Sequence, residues 1–141
     1  MEITIGILTL LVAIFTLKLQ FFSKPKEELE YLQIQFKATQ KLSLQVQNEL
    51  EQFIFEYCAG ENEIFPGVRY KDYLAKMKES FKENLSDEVY NRVISLKLSK
   101  SNINSMAKSL ETQFTALSQI HVNLTLLLNK DNNIVDNTTS E

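Results

Sequence analysis

From Ile3 to Phe22, apolar side chains fill 14 of 20 positions, and the stretch Ile3–Leu17 carries no charge. Twenty residues at about 1.5 Å rise per residue reach ~30 Å, the hydrocarbon thickness of a bilayer. The pattern predicts a transmembrane helix. Lys18 lies near one end of the segment, where its long stem can carry the ammonium to the interface. A cleaved signal peptide would begin with a basic region and end at small residues; here Glu2 precedes the run and Phe-Phe-Ser-Lys-Pro-Lys follows it. Residues 1–24 are therefore expected to form an uncleaved anchor. Lys18, Lys24 and Lys26 lie on its C-terminal side, which places the N-terminus outside and the remainder in the cytoplasm.

After the anchor the period changes to that of amphipathic helices. Ser23, Pro25, Glu27 and Glu28 form a helix-start signal, and the apolar residues Leu29, Leu32, Phe36, Val46, Leu50, Phe53 and Tyr57 keep steps of three and four. This predicts a helix from near Lys26 to Ala59, stopped by Gly60. Thr39 and Ser43 fill the same seam and weaken its middle. The alternation Leu32, Ile34, Phe36 and Leu42, Leu44, Val46 also suits strands, but the intervening Ala38-Thr39-Gln40-Lys41 has no turn residue to close a hairpin. Gly60 to Gly67, with Pro66, reads as a loop. Tyr70, Tyr73, Leu74, Met77, Phe81 and Leu85 define a second helix, and Ser86-Asp87-Glu88 opens a short third one through Val89, Val93 and Ile94.

Beyond a polar break at Ser99–Asn102 comes the most regular stripe of the chain: Ile103, Ala107, Leu110, Phe114, Leu117, His121, Leu124 and Leu128, widened by Met106, Ile120 and Leu127. Such a face must bury itself against another helix, and the first post-anchor helix is its match in length. The predicted fold class is all-α: one transmembrane helix, then a small bundle of two long antiparallel helices and two short ones. The domain plan is an anchor at 1–24, a cytoplasmic helical domain at 25–129 and a flexible tail at 130–141. Ile103, Leu110, Phe114, Leu117, Leu124 and Leu128 are the expected packing residues of the interaction stripe.

Composition removes most catalytic options. The 141 residues include one His, one Cys, no Trp and three Gly, so neither a disulfide framework nor a structural zinc site can be assembled. No phosphate-cradling glycine motif is present. Ser105-Met-Ala-Lys108 fits S-x-x-K without its companion motifs. The acid pairs Glu27/Glu28, Glu61/Glu63 and Asp87/Glu88 fall at helix starts or in the loop, where they complement the helix dipole or face water. His121 reads as a partly buried imidazole bonded to a neighbour, and Cys58 as a small hydrophobe. No cofactor, metal or catalytic residue is expected.

Charge changes the picture once more. The net charge is only -3, but Glu49, Glu51, Glu56, Glu61 and Glu63 form an acidic stretch without bases. Arg69, Lys71, Lys76, Lys78 and Lys82 give the second helix more bases than acids, and Arg92 lies in an acid-free stretch, Val89–Leu110. These six cations are the candidate anion contacts, for lipid headgroups, a phosphorylated small ligand or an acidic neighbouring copy. Duplex nucleic acid is not an expected partner. The expectation is a non-enzymatic, membrane-anchored helical module that forms a homo-oligomer or docks a partner protein. The alternative is a ligand-gated membrane effector of the toxin or defence type, sensing an anionic small molecule.

Overall fold

The computed structural model describes the backbone of residues 26–135 and the side chains of residues 26–129. The anchor expected at 1–24 lies outside the described residues. So does the last part of the expected tail, residues 136–141. Within the described residues the chain is all-α apart from one small hairpin: α1 Lys26–Tyr57, a 3-10 turn Ala59–Glu61, β1 Glu63–Phe65, β2 Val68–Arg69, α2 Tyr70–Asn84, α3 Asp87–Ser95 and α4 Lys100–Val135. No helix among them is long and apolar enough to cross a membrane.

Local chemistry sets the boundaries. Glu27 and Glu28 occupy the first turn of α1, where acids complement the positive helix end. The helix stops at a left-handed Cys58 (φ 49°), two positions before the glycine expected to end it. The segment read as a loop contains an antiparallel hairpin, Glu63 opposite Arg69 and Phe65 opposite Val68. Pro66 and Gly67 make its turn, and the φ of +77° at Gly67 is what a type II turn asks of its third residue. Ser86 caps α3 by accepting from the Val89 amide at 3.4 Å. Ser99 caps α4 in the same way, with its hydroxyl 3.2 Å from the Asn102 amide. This starts α4 inside the expected polar break, and the helix continues past Asn129 to Val135.

The two long helices run parallel, which corrects the antiparallel expectation. Glu28 contacts Lys100, Thr39 contacts the Leu110 carbonyl, and Glu49 contacts His121, so positions climb together along both helices. The reason is the return path. Tyr70 stacks on Phe53 near the far end of α1, Gln40 donates to the Leu85 carbonyl at 2.8 Å, and Tyr90 of α3 packs on Phe36. Thus α2 and α3 in series carry the chain back down the ~48 Å length of α1. α4 then starts where α1 starts. We call this end the base.

Two apolar clusters hold the bundle. The basal one buries Leu32, Phe36, Leu85, Val93, Ile103, Ala107 and Leu110, with Leu98 and Tyr90 against it. The distal one buries Val46, Leu50 and Leu124, and draws in Phe53, Ile64, Tyr70 and Met77. Between them α1 buries Thr39, Ser43 and Gln47. Thr39 Oγ1 donates to the Gln35 carbonyl at 2.8 Å, with the Leu110 carbonyl of α4 at 3.5 Å, and Gln47 Nε2 donates to Ser43 Oγ at 3.2 Å, so the shorter bonds of this polar waist stay within α1.

Candidate functional site

α1 is the central helix, with α4 along one side and α2–α3 along another. The α2 and α4 faces stay apart beside the polar waist. The small Ser43 forms the floor of the gap, Tyr73, Met77, Ser80, Phe81 and Leu85 one wall, and Gln113, Ala116, Leu117 and Ile120 the other. The result is an open, mainly apolar groove of about 210 Å³. Burial pushes the Tyr73 phenol above its ordinary pKa, so it stays a neutral wall residue at physiological pH. A groove of this size is small for a whole metabolite but suits inserted apolar side chains.

The expected packing stripe is placed as α4's inner face. Ile103, Leu110 and Leu124 are buried, and Phe114, Leu117 and Leu128 are half-buried. Leu117 also reaches the groove wall. Leu127, expected to widen the stripe, is 43% exposed, and Leu126 and Val122 are more exposed still.

The six candidate anion contacts do not converge. Arg69 and Lys71 meet at Glu61, where Arg69 Nη1 lies 2.8 Å from Glu61 Oε2 and Lys71 bonds the other oxygen. Arg69 also reaches Asp72 at 2.7 Å. Lys76 pairs with Glu79, Lys78 with Glu51 of α1, and Arg92 with Glu88. Lys82 has no ion pair among the described residues. Lys71, with Arg69 beside it, holds the Glu61 carboxyl below its usual pKa, and Asp72 and Glu61 raise that of Arg69. The acidic end of α1 and the basic α2 thus compensate each other inside one chain. Glu61 is an ion-pair hub, a role its position in an expected loop did not signal.

The remaining singled-out residues separate. His121 Nδ1 donates to Glu49 Oε2 at 2.7 Å, bridging α4 and α1. Cys58, read as a small hydrophobe, is exposed at the turn off α1. Ser105 and Lys108 line a shallow depression on α4 with Lys100, Ser101 and Asn104. No group of three His, Cys, Asp or Glu among the described residues is placed to hold a metal ion. The groove lining was half legible, since Tyr73, Met77 and Ile120 mark helical stripes. Ser80, Gln113 and Ala116 carried no signal, because it is the spacing between two helices that makes them a wall. Comparison with protein-family models, curated proteins and solved structures finds no match for this chain.

Proposed function

We propose that this chain is a non-enzymatic, single-pass membrane-anchored helical module that self-associates through the α2–α4 groove. The observation that carries the reading is the charge-free run Ile3–Leu17, extended by apolar residues to Phe22, directly ahead of an amphipathic bundle. Anchoring would confine copies to two dimensions and raise their effective concentration, so a modest interface suffices. It would also hold copies in one plane, with the same end toward the bilayer. A two-fold axis along the membrane normal then brings residues of equal height together, and Met77, Ala116 and Ile120 of one copy face their own counterparts.

The ligand-gated reading draws less support. Five of its six cations are engaged in ion pairs within the chain, so an anionic ligand would have to displace carboxylates already in place.

The test uses the full chain with Cys58→Ser and Ala116→Cys. The expected outcome is flotation with vesicles without any other protein, and a disulfide-linked dimer on mild oxidation that Ile120→Asp abolishes. Protein left in the high-speed supernatant of a detergent-free lysate would refute the anchor. A monomer that floats would refute self-association and leave a separate partner protein as the occupant of the groove.

A further inference from the structure

The end of the bundle at which the anchor would attach is also the end where the α3–α4 connection hangs. Lys100 Nζ lies 2.5 Å from Glu28 Oε1, and Ile103 is buried in the same basal cluster as Leu32. The start of α4 is therefore clamped beside the start of α1. The connection just before it, residues 96–99, turns Leu98 inward against the basal cluster. Leu96, by contrast, is 53% exposed. Lys97, beside it, is exposed and forms no ion pair among the described residues.

Distance makes this placement consequential. Only Ser23, Lys24 and Pro25 separate Phe22 from Lys26. Fully extended, they span at most about 10 Å. A bundle so closely tied cannot hold its base much beyond the reach of headgroup charge, for which the screening length is about 8 Å at physiological salt.

We infer that the α3–α4 connection, with Leu96 and Lys97 at its tip, rests on the headgroup layer of the same bilayer and favours anionic lipid. The inference builds on the anchor reading proposed above. Leu96 loses water from its apolar surface at the interface, and Lys97 brings a cation to the anionic headgroups. The acids at this end do not cancel the attraction. Glu28 is engaged by Lys100 and Glu88 by Arg92, and this leaves Lys24, Lys26 and Lys97 against Glu27 and Glu30. The consequence is orientation. One attachment lets a bundle tilt freely, whereas the anchor and the connection together stand it upright, with the α2–α4 groove at a fixed height above the lipid.

The experiment uses the full chain with Cys58→Ser and one cysteine carrying an environment-sensitive fluorophore. The cysteine replaces either Leu96 or, as the distal control, Phe55. Each protein is reconstituted into vesicles of phosphatidylcholine alone and of phosphatidylcholine mixed equally with phosphatidylglycerol, then floated and exposed to an aqueous quencher. The expected result is flotation in both lipids, with the label at 96 shielded in the anionic vesicles and the label at 55 fully quenched. Adding Lys97→Ala lowers the ratio of shielded to unshielded label about fivefold, the contribution of one lysine at an anionic surface. High salt does the same. Protein that floats but whose label at 96 is quenched as readily as that at 55 in both lipids overturns the inference and leaves the anchor intact. Protein that does not float overturns both.

Discussion

Single side chains differ widely in what they contribute, and the chain gives matched pairs for measuring it. Leu50 is fully buried in the distal cluster, whereas Phe55, five residues on, is 84% exposed. Leu50→Ala removes packed methyl groups between α1 and α4 and is expected to cost about 2–5 kcal/mol in urea denaturation. Phe55→Ala should stay within about 0.5 kcal/mol of the parent, because little is buried there to lose. Equal losses would mean that the distal cluster is not packed as described. The His121–Glu49 bridge obeys a different rule. The Glu49 side chain is only 19% exposed, so His121→Ala takes one of two partners, the other being Gln45, from a mostly buried carboxylate and should cost about 1–3 kcal/mol. Glu49→Gln in the same background should return part of that loss, since an amide is less costly to bury than a carboxylate left with Gln45 as its one partner.

At the scale of elements, the boundaries turn on left-handed residues. Cys58 adopts φ 49° at the end of α1 without being glycine, a conformation that costs an L-residue roughly 1–2 kcal/mol. Cys58→Gly is expected to raise the thermal midpoint, as glycine after a helix C-terminus usually does. Gly67→Ala should lower stability by about 1 kcal/mol for the converse reason, and purely through the backbone, since no atom lies within 4 Å of the added Cβ. Gly60→Ala is the control: its Cβ would meet Ile54 Cγ2 at 3.5 Å, an ordinary contact, and its φ is not positive. These positions also show where reading the sequence stops. The steps of three and four located α1, α2, α3 and α4, because a helix face that must be buried writes its period into the chain. The hairpin was missed because Ile64, Phe65 and Val68 are too few to show alternation, although Pro66-Gly67 between them was a turn signal. The cap at Cys58 was misplaced to Gly60 because composition favours glycine for this role, whereas here a non-glycine residue takes the left-handed turn.

Over the whole molecule, topology was the least legible property. Stripe and length matched α1 with α4 correctly, but direction depends on where the intervening chain ends. α2 and α3 together are long enough to return it to the base. Thr39 and Ser43 looked like a flaw in the seam, yet their small size leaves the waist over which the α2–α4 groove opens. Charge segregation was legible and its meaning was not, because only folding brings Glu51 and Glu61 against Lys78 and Lys71. Ion pairs of this kind tie separate elements together: Glu28 of α1 to Lys100 of α4, Lys37 of α1 to Asp87 of α3, and Glu61 of the 3-10 turn to Lys71 of α2. In each, the base holds the carboxyl below its ordinary value: Lys100 acts on Glu28, Lys37 and then Gln40 on Asp87, and Lys71 on Glu61. A carboxyl with a depressed folded pKa contributes stability above its unfolded value, 4.5 for Glu and 3.8 for Asp, and loses it as pH falls through the folded pKa. The bundle should therefore hold constant stability from neutrality to about pH 4.5 as far as these groups are concerned, then weaken on further acidification. All three carboxyls are solvent-accessible, so salt should shrink the effect. Asp87→Asn removes one of the three, and its urea midpoint should start slightly below that of the parent at pH 7 and fall less steeply with pH below 4. An unchanged acid slope in that variant would show that Lys37 and Asp87 do not pair in solution, and the docking of α3 on α1 would then rest on the apolar contacts of Tyr90 with Phe36 and of Val93 in the basal cluster.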